Sequence, residues 1–244
     1  MDGLSPSLLL EVWEQGAAQP APQQALLLLG AAFPEESADA LAQLSIGQRN
    51  ALLLTLREWL FGPHFVSGAA CPQCAERVEL TFEAGDIRAG GNGSVAPLLH
   101  VDLAGYAVDF RLPNSADLVA VAGAGDPPAI ERAVLERCVV SVRHTGKDTP
   151  ARQLPAEVAT AVIDAMDRAD PQANIQLSLT CPACGHAWQA FLDLLPYVWR
   201  ELDAWAHRAL RDVHYLASAY GWSEREILNM RPSRRQIYLD MIGV

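Results

Sequence analysis

Read for hydrophobic periodicity, the chain is helical at both ends and mixed between them. Leu8, Leu9, Val12 and Trp13 share one stripe and predict a helix over residues 5–15. A Pro/Gln/Ala linker at 16–22 leads to an apolar helix at 23–32, which Pro34 stops; Ser37 can cap another. Ser45-Ile46-Gly47-Gln48 has the S-x-x-Q form of a capping box. Leu52, Leu53, Leu56, Trp59 and Leu60 then repeat at helical spacing up to Phe61, before Gly62-Pro63 ends the run.

The middle changes period. Residues 77–83 (RVELTFE) alternate apolar and polar and predict a strand, as do 98–103 and 106–112. Gly90-Gly91-Asn92-Gly93 lacks the strand-to-helix setting of a dinucleotide-binding loop and is taken as a linker. Asn114 or Ser115 can cap a helix to Ala122, and Asp126-Pro127 supplies a cap and an N1 proline for a helix ending near Cys138. A short strand over 139–142, a helix from Pro155 to Arg168 and strands at 174–179 and 187–192 complete this part. From Pro196 to Tyr220 a long helix carries Val198, Leu202, Trp205, Ala209, Val213, Leu216 and Tyr220 at steps of three and four. Ser223 to Glu226 (SERE) and Ser233 to Gln236 (SRRQ) read as two more capping boxes, each opening a short helix after a break at Gly221.

Charge adds an asymmetry to this pattern. The 244 residues carry 18 basic and 29 acidic side chains, a net −11. Up to Leu195 the balance is −12, and from Pro196 onward it is +1. A phosphate backbone is repelled by such a chain unless its basic residues cluster, which argues against nucleic acid as a partner. The longest apolar stretch, Ala25 to Phe33, is too short to span a bilayer, and the N-terminus has no basic segment of a secretory signal. The expectation is a cytoplasmic protein, in which cysteines are metal ligands or free thiols.

Four of the five cysteines form two C-P-x-C knuckles, Cys71-Pro72-Gln73-Cys74 and Cys181-Pro182-Ala183-Cys184. Two knuckles supply four soft thiolates at the corners of a tetrahedron, a donor set that suits Zn²⁺. The 106 residues between Cys74 and Cys181 far exceed the usual spacer of roughly 15–20 residues. A split zinc ribbon with an inserted module accounts for both facts. The rival for a C-x-x-C pair is a redox dithiol, but such a motif normally opens a helix, and here each is followed by strand-like sequence. Four thiolates would leave no open coordination position, so one zinc ion would act structurally. His186 is not needed as a ligand, and Cys138 reads as a buried free thiol.

No catalytic constellation emerges. His207 and His214 lie on one face of the long helix with Arg200 and Arg211, a polar face or partner-binding strip without metal-ligand spacing. The carboxylates Asp164, Asp167, Glu131 and Glu136 belong to solvated helix faces. Lys147 is the single lysine, so phosphate handling would fall to arginine. Trp188, Trp199, Trp205, Tyr215, Tyr220, Trp222 and Tyr238 crowd the C-terminal part, more than a small helical bundle can bury. Tyr220, Trp222 and Tyr238, rimmed by Arg231, Arg234 and Arg235, are the candidate partner-binding residues.

The tail His207 to Ile242, with its aromatic-Gly-Trp turn at Tyr220-Gly221-Trp222, its capped helix at 223–230 and its Arg-Arg…Tyr-Leu helix at 234–239, resembles a known pattern. It is similar to the baseplate hub assembly chaperone family of contractile-tailed phages, with relatives in contractile injection systems. Leu44 to Gly62 and the CPACGHAW knuckle resemble the injection-system members. The resemblance implies a protein that helps build, or stays in, the baseplate of a contractile tail-like particle, with baseplate or hub proteins as partners. The expected fold is α+β and helix-rich. A helical region at 1–66 precedes a split four-cysteine zinc ribbon at 67–195, which holds a small α/β insertion (about 85–173), and a helical region at 196–244 follows. The expected function is a non-enzymatic assembly factor or structural accessory. Membrane, nucleic-acid and small-molecule partners are not expected. A zinc-ribbon adaptor acting on nucleic acid or transcription and a thiol-redox protein are the alternatives.

Overall fold

The computed structural model describes residues 4–89, 96–123 and 125–243; the glycine linker at 90–93 lies outside them. Residues 1–36 and 195–244 form one compact unit and 37–194 another. The fold is α+β and rich in helix.

The first unit is helical. It contains α1 (Pro6–Gly16), α2 (Ala21–Ala32), α9 (Glu224–Leu228), α10 (Pro232–Ile242) and most of α8 (Leu194–Tyr220). Ser5 caps α1 by accepting from the Leu8 N–H, ahead of a proline in the first turn. Leu10, Ala206, Ala209 and Leu228 bury one cluster, with Trp13 and Trp205 against it. Leu216, Ile227 and Leu239 bury a second, covered by Trp222 and Tyr238. Trp13 Nε1 donates to Asp203 Oδ1 at 2.9 Å, so this part-buried indole edge is not left unsatisfied. Gly16 is required by packing: a Cβ there would overlap the Trp199 ring. Gly221 follows α8 at φ +70°, in the left-handed region glycine enters without strain.

One expectation for this unit is corrected. The Ser223 box forms, with Glu226 as its reciprocal partner, but the Ser233 box does not. Pro232 instead occupies the first turn of α10 and Arg231 stands at its N-cap, without a side-chain cap. The fixed φ of proline sets the helix start one residue ahead of the serine, which then lies inside the first turn.

The second unit opens with α3 (Ala38–Gln43) and α4 (Ile46–Phe61). The predicted capping box at Ser45 and Gln48 is present. Asp170 adds a cap from far along the chain, accepting from the Gly47 N–H at 2.8 Å, where a Cβ would overlap its carboxylate. Asn50 donates to the Gln172 carbonyl, and the Gln172 amide bonds to both the Ala89 N–H and the Ile87 carbonyl. These buried polar groups are partnered, as burial demands.

Two hairpins follow, far apart in sequence. β1 (His64–Ala70) pairs with β2 (Arg77–Glu83), and β7 (Gln176–Thr180) with β8 (Ala187–Phe191), each antiparallel. Between them β3 (Leu99–Leu103), β4 (Tyr106–Phe110), β5 (Val139–His144) and β6 (Lys147–Asp148) form an antiparallel sheet in that order. α5 (Ser115–Val121), α6 (Pro127–Cys138) and α7 (Ala156–Ala169) accompany it. Val108, Phe110 and Val142 on the sheet bury against Leu135 of α6 and Val158 and Val162 of α7. The other sheet face is polar, with His100 and Ser141 both bonded to Asp109 at 2.7 Å.

Candidate metal centre and partner surface

Each knuckle occupies the turn of one hairpin. Cys71 and Cys74 lie between β1 and β2, and Cys181 and Cys184 between β7 and β8. The two turns are built alike. The Cys71 N–H donates to the Glu76 carbonyl and the Ala75 N–H to the Cys71 carbonyl; Cys181 and His186, and Gly185 and Cys181, repeat those bonds. The residue after the second cysteine is left-handed in both, Ala75 at φ +61° and Gly185 at φ +73°. That conformation turns the next backbone N–H, of Glu76 or His186, onto the preceding sulfur. Alanine accepts this at a cost of about 1 kcal/mol that glycine avoids.

The four sulfurs converge, all within 4.8 Å of one another. Cys71 Sγ is 3.7 Å from Cys184 Sγ and Cys74 Sγ is 3.6 Å from Cys181 Sγ, so close pairs join one knuckle to the other. Four ligands about 2.3 Å from one ion in a tetrahedron stand about 3.8 Å apart, and the set fits that spacing. Cys71 and Cys181 are buried while Cys74 and Cys184 are exposed, so one side of the cluster opens to solvent.

The proton equilibria of the set show what a cation would change. Burial pushes the Cys71 thiol up, but the N–H groups of Cys74 and Gln73 and the neighbouring sulfurs outweigh it and bring it to about 7. The Glu76 N–H pulls Cys74 down, yet the crowding of Cys184, Cys181 and Cys71, with burial, drives it up to about 12. At Cys184 the His186 N–H lowers and burial with the Cys181 and Cys71 sulfurs raises, and the thiol ends above its ordinary value. Like charges this close cannot all ionise unaided. A dication would replace the protons and let four thiolates coexist. Among the described residues this is the one group of three or more metal-ligating side chains within such reach.

The remaining candidate residues are placed as follows. Cys138 is buried, and its thiol is raised to about 11 by burial and the Asp117 carboxylate. His207 and His214 are exposed on α8, and His207 lies 3.7 Å from Asp203. Tyr220, Trp222 and Tyr238 pack on one another, Tyr220 stacked on Trp222 at 4.5 Å and Tyr238 edge-on to Trp222 at 4.9 Å. Arg234 lies over the Tyr238 ring, and Arg231 and Arg234 are exposed. Arg235 turns inward and pairs with Asp212 of α8 at 3.0 Å. The sequence reading missed Asp212 and Arg208. Both continue the i, i+3, i+7 row from Trp205, but a row of mixed chemistry carries no signal until α10 is known to lie beside it.

The family model described as T4 bacteriophage base plate protein matches residues 8–195, and the chain belongs to that family. The match takes in both knuckles and the sheet module between them, and it ends before the C-terminal stretch in which the tail resemblance is strongest. No curated protein and no solved structure matches the chain. Among the described residues no helix is long and apolar enough to cross a membrane.

Proposed function

We propose that this baseplate-family protein is a non-enzymatic assembly factor, a chaperone, or a structural accessory of the baseplate of a contractile tail-like particle or injection system. One structural zinc held by Cys71, Cys74, Cys181 and Cys184 would staple the two hairpins. The observation that carries the role is the family match over residues 8–195. The zinc reading is supported by the convergence of four sulfurs at tetrahedral spacing. The partner surface is proposed at Tyr220, Trp222, Arg231, Arg234 and Tyr238, with Arg235 acting beneath it through Asp212. Baseplate or hub proteins would be the partners.

The redox alternative fits less well, because both knuckles sit at hairpin turns rather than at a helix start. The nucleic-acid adaptor would need basic residues beside the knuckles, where Arg77 stands alone.

Complementation tests the role. A Trp222→Ala/Arg234→Ala protein should fold with zinc bound and fail to support particle assembly in a strain lacking the native gene. Normal particles from that strain, counted by electron microscopy, would remove the proposed surface. Normal particles from the strain with no copy of the gene would remove the assembly role itself.

A further inference from the structure

The C-terminal helices hold a cavity that the aromatic cluster does not use. α8 and α10 border an open groove of about 380 Å³. Its floor is apolar at Ala209 and Leu239, both buried, and beside them the Asp212–Arg235 pair neutralises itself. Trp205 and Tyr215 line it ten residues apart on α8, which sets its length at about 15 Å. Arg208 and Arg211 stand exposed on the rim; both act on Asp212 electrostatically, but its close ion pair is with Arg235.

This arrangement is a trough of mixed character, with an apolar floor and two guanidinium groups beside it, in a chain of net charge −11. The charges answer carboxylates, and the Trp205 and Tyr215 rings, with the Ala209–Leu239 floor, answer apolar side chains. A phosphate backbone would ask for an even row of cations, and here the middle of the groove is neutral. We infer that the groove binds an acidic peptide segment of another protein, with an aromatic or aliphatic side chain seated on the Ala209–Leu239 floor against Trp205 or Tyr215 and flanking carboxylates on Arg208 and Arg211. The inference deepens the assembly reading and rests on it for the source of the segment.

The test uses the purified full-length protein and fluorescein-labelled peptides of twelve residues. One probe carries a phenylalanine between two pairs of glutamates, a second has each glutamate replaced by glutamine, and twelve-nucleotide oligo-dT serves as competitor. The glutamate probe should bind, and anisotropy should show affinity about tenfold weaker for the glutamine probe. Arg208→Ala/Arg211→Ala should lose about tenfold, while Arg225→Ala on α9 leaves binding unchanged. All three arginines are at exposed positions, and Tyr215→Ala gives an independent variant that should also weaken binding. Equal binding of the two probes, no binding of either, or indifference to the arginine variants overturns the inference. Displacement by oligo-dT at lower concentration than the glutamate probe overturns it in favour of nucleic acid. Failure here with the gene still required for particles removes the groove alone. Binding here with the gene dispensable removes the assembly reading alone.

Discussion

In the unit formed by residues 1–36 and 195–244, the two ends of the chain meet through side-chain packing. Leu10 of α1 buries with Ala206 and Ala209 of α8, and Trp13 reaches across to Asp203. In the unit at 37–194, two hairpins separated by more than ninety residues share no strand ladder among the described residues, and their turns meet through four sulfurs. Both devices close a long stretch of chain, but they fail differently. Apolar packing is a sum of many small contacts, and loss of one leaves the others. A four-ligand site would act as a single event, because a missing thiolate would release the ion and return the proton competition among the sulfurs that remain.

The largest test of that contrast is metal removal. Purified protein should contain one zinc per chain by elemental analysis. Chelation, or Cys181→Ser, should withdraw on the order of 10 kcal/mol from the unit at 37–194. Melting followed by circular dichroism should then split, with an early loss in the unit at 37–194 and a later loss of α8 and its neighbours. A single unchanged transition after complete chelation would show that the cysteines close nothing.

Leu216→Ala probes the other side. The side chain is fully buried in the cluster with Ile227 and Leu239. Its truncation should cost about 3 kcal/mol in urea unfolding. Zinc content should stay at one per chain. Loss of zinc from this variant would mean that the packed unit and the unit at 37–194 are one cooperative structure, and the comparison would collapse.

How far these features were legible in the sequence follows from the same physics. The knuckles announce themselves because ligand spacing within a turn is local, and their convergence was expected from the number of thiolates a metal ion would need. The capping boxes at Ser45 and Ser223 were equally local, as was the choice of Asn114 or Ser115 as a cap, which the structure resolves in favour of Asn114. β1 was not legible: HFVSGAA lacks alternation, and it forms a strand because β2 pairs along its whole length. β6, with two residues, has no periodicity to read. The cap that Asp170 supplies at Gly47 has no local pattern to announce it, because that role is set by tertiary approach. The Tyr220, Trp222 and Tyr238 cluster was visible as an excess of aromatics. The inward turn of Arg235 was not, since the sequence gives no hint that Asp212 lies opposite.

The smallest expected effect compares one carboxylate from each unit. Asp117 is buried; burial raises its carboxyl, but Arg111 at 2.6 Å, the Asn114 N–H and Arg137 outweigh that and hold it below the ordinary range. Asp212 goes the other way, because burial outweighs Arg235 and its carboxyl is raised. A depressed folded value means that ionised Asp117 stabilises the native state above the unfolded carboxyl value of about 3.9, and that this is lost as pH falls through the folded value. Because Arg111 and Arg137 remain partly in water, Asp117→Asn should cost only about 2 kcal/mol at pH 7. The difference from the parent protein should shrink below about pH 4. For Asp212 the sign reverses: ionisation opposes folding there, so acidification through its raised value relieves a cost. Urea titrations of Asp117→Asn and Asp212→Asn between neutral and acid pH should therefore diverge from the parent in opposite senses. Parallel pH profiles would show that the two ion pairs are equivalent and that only the sulfurs set the units apart.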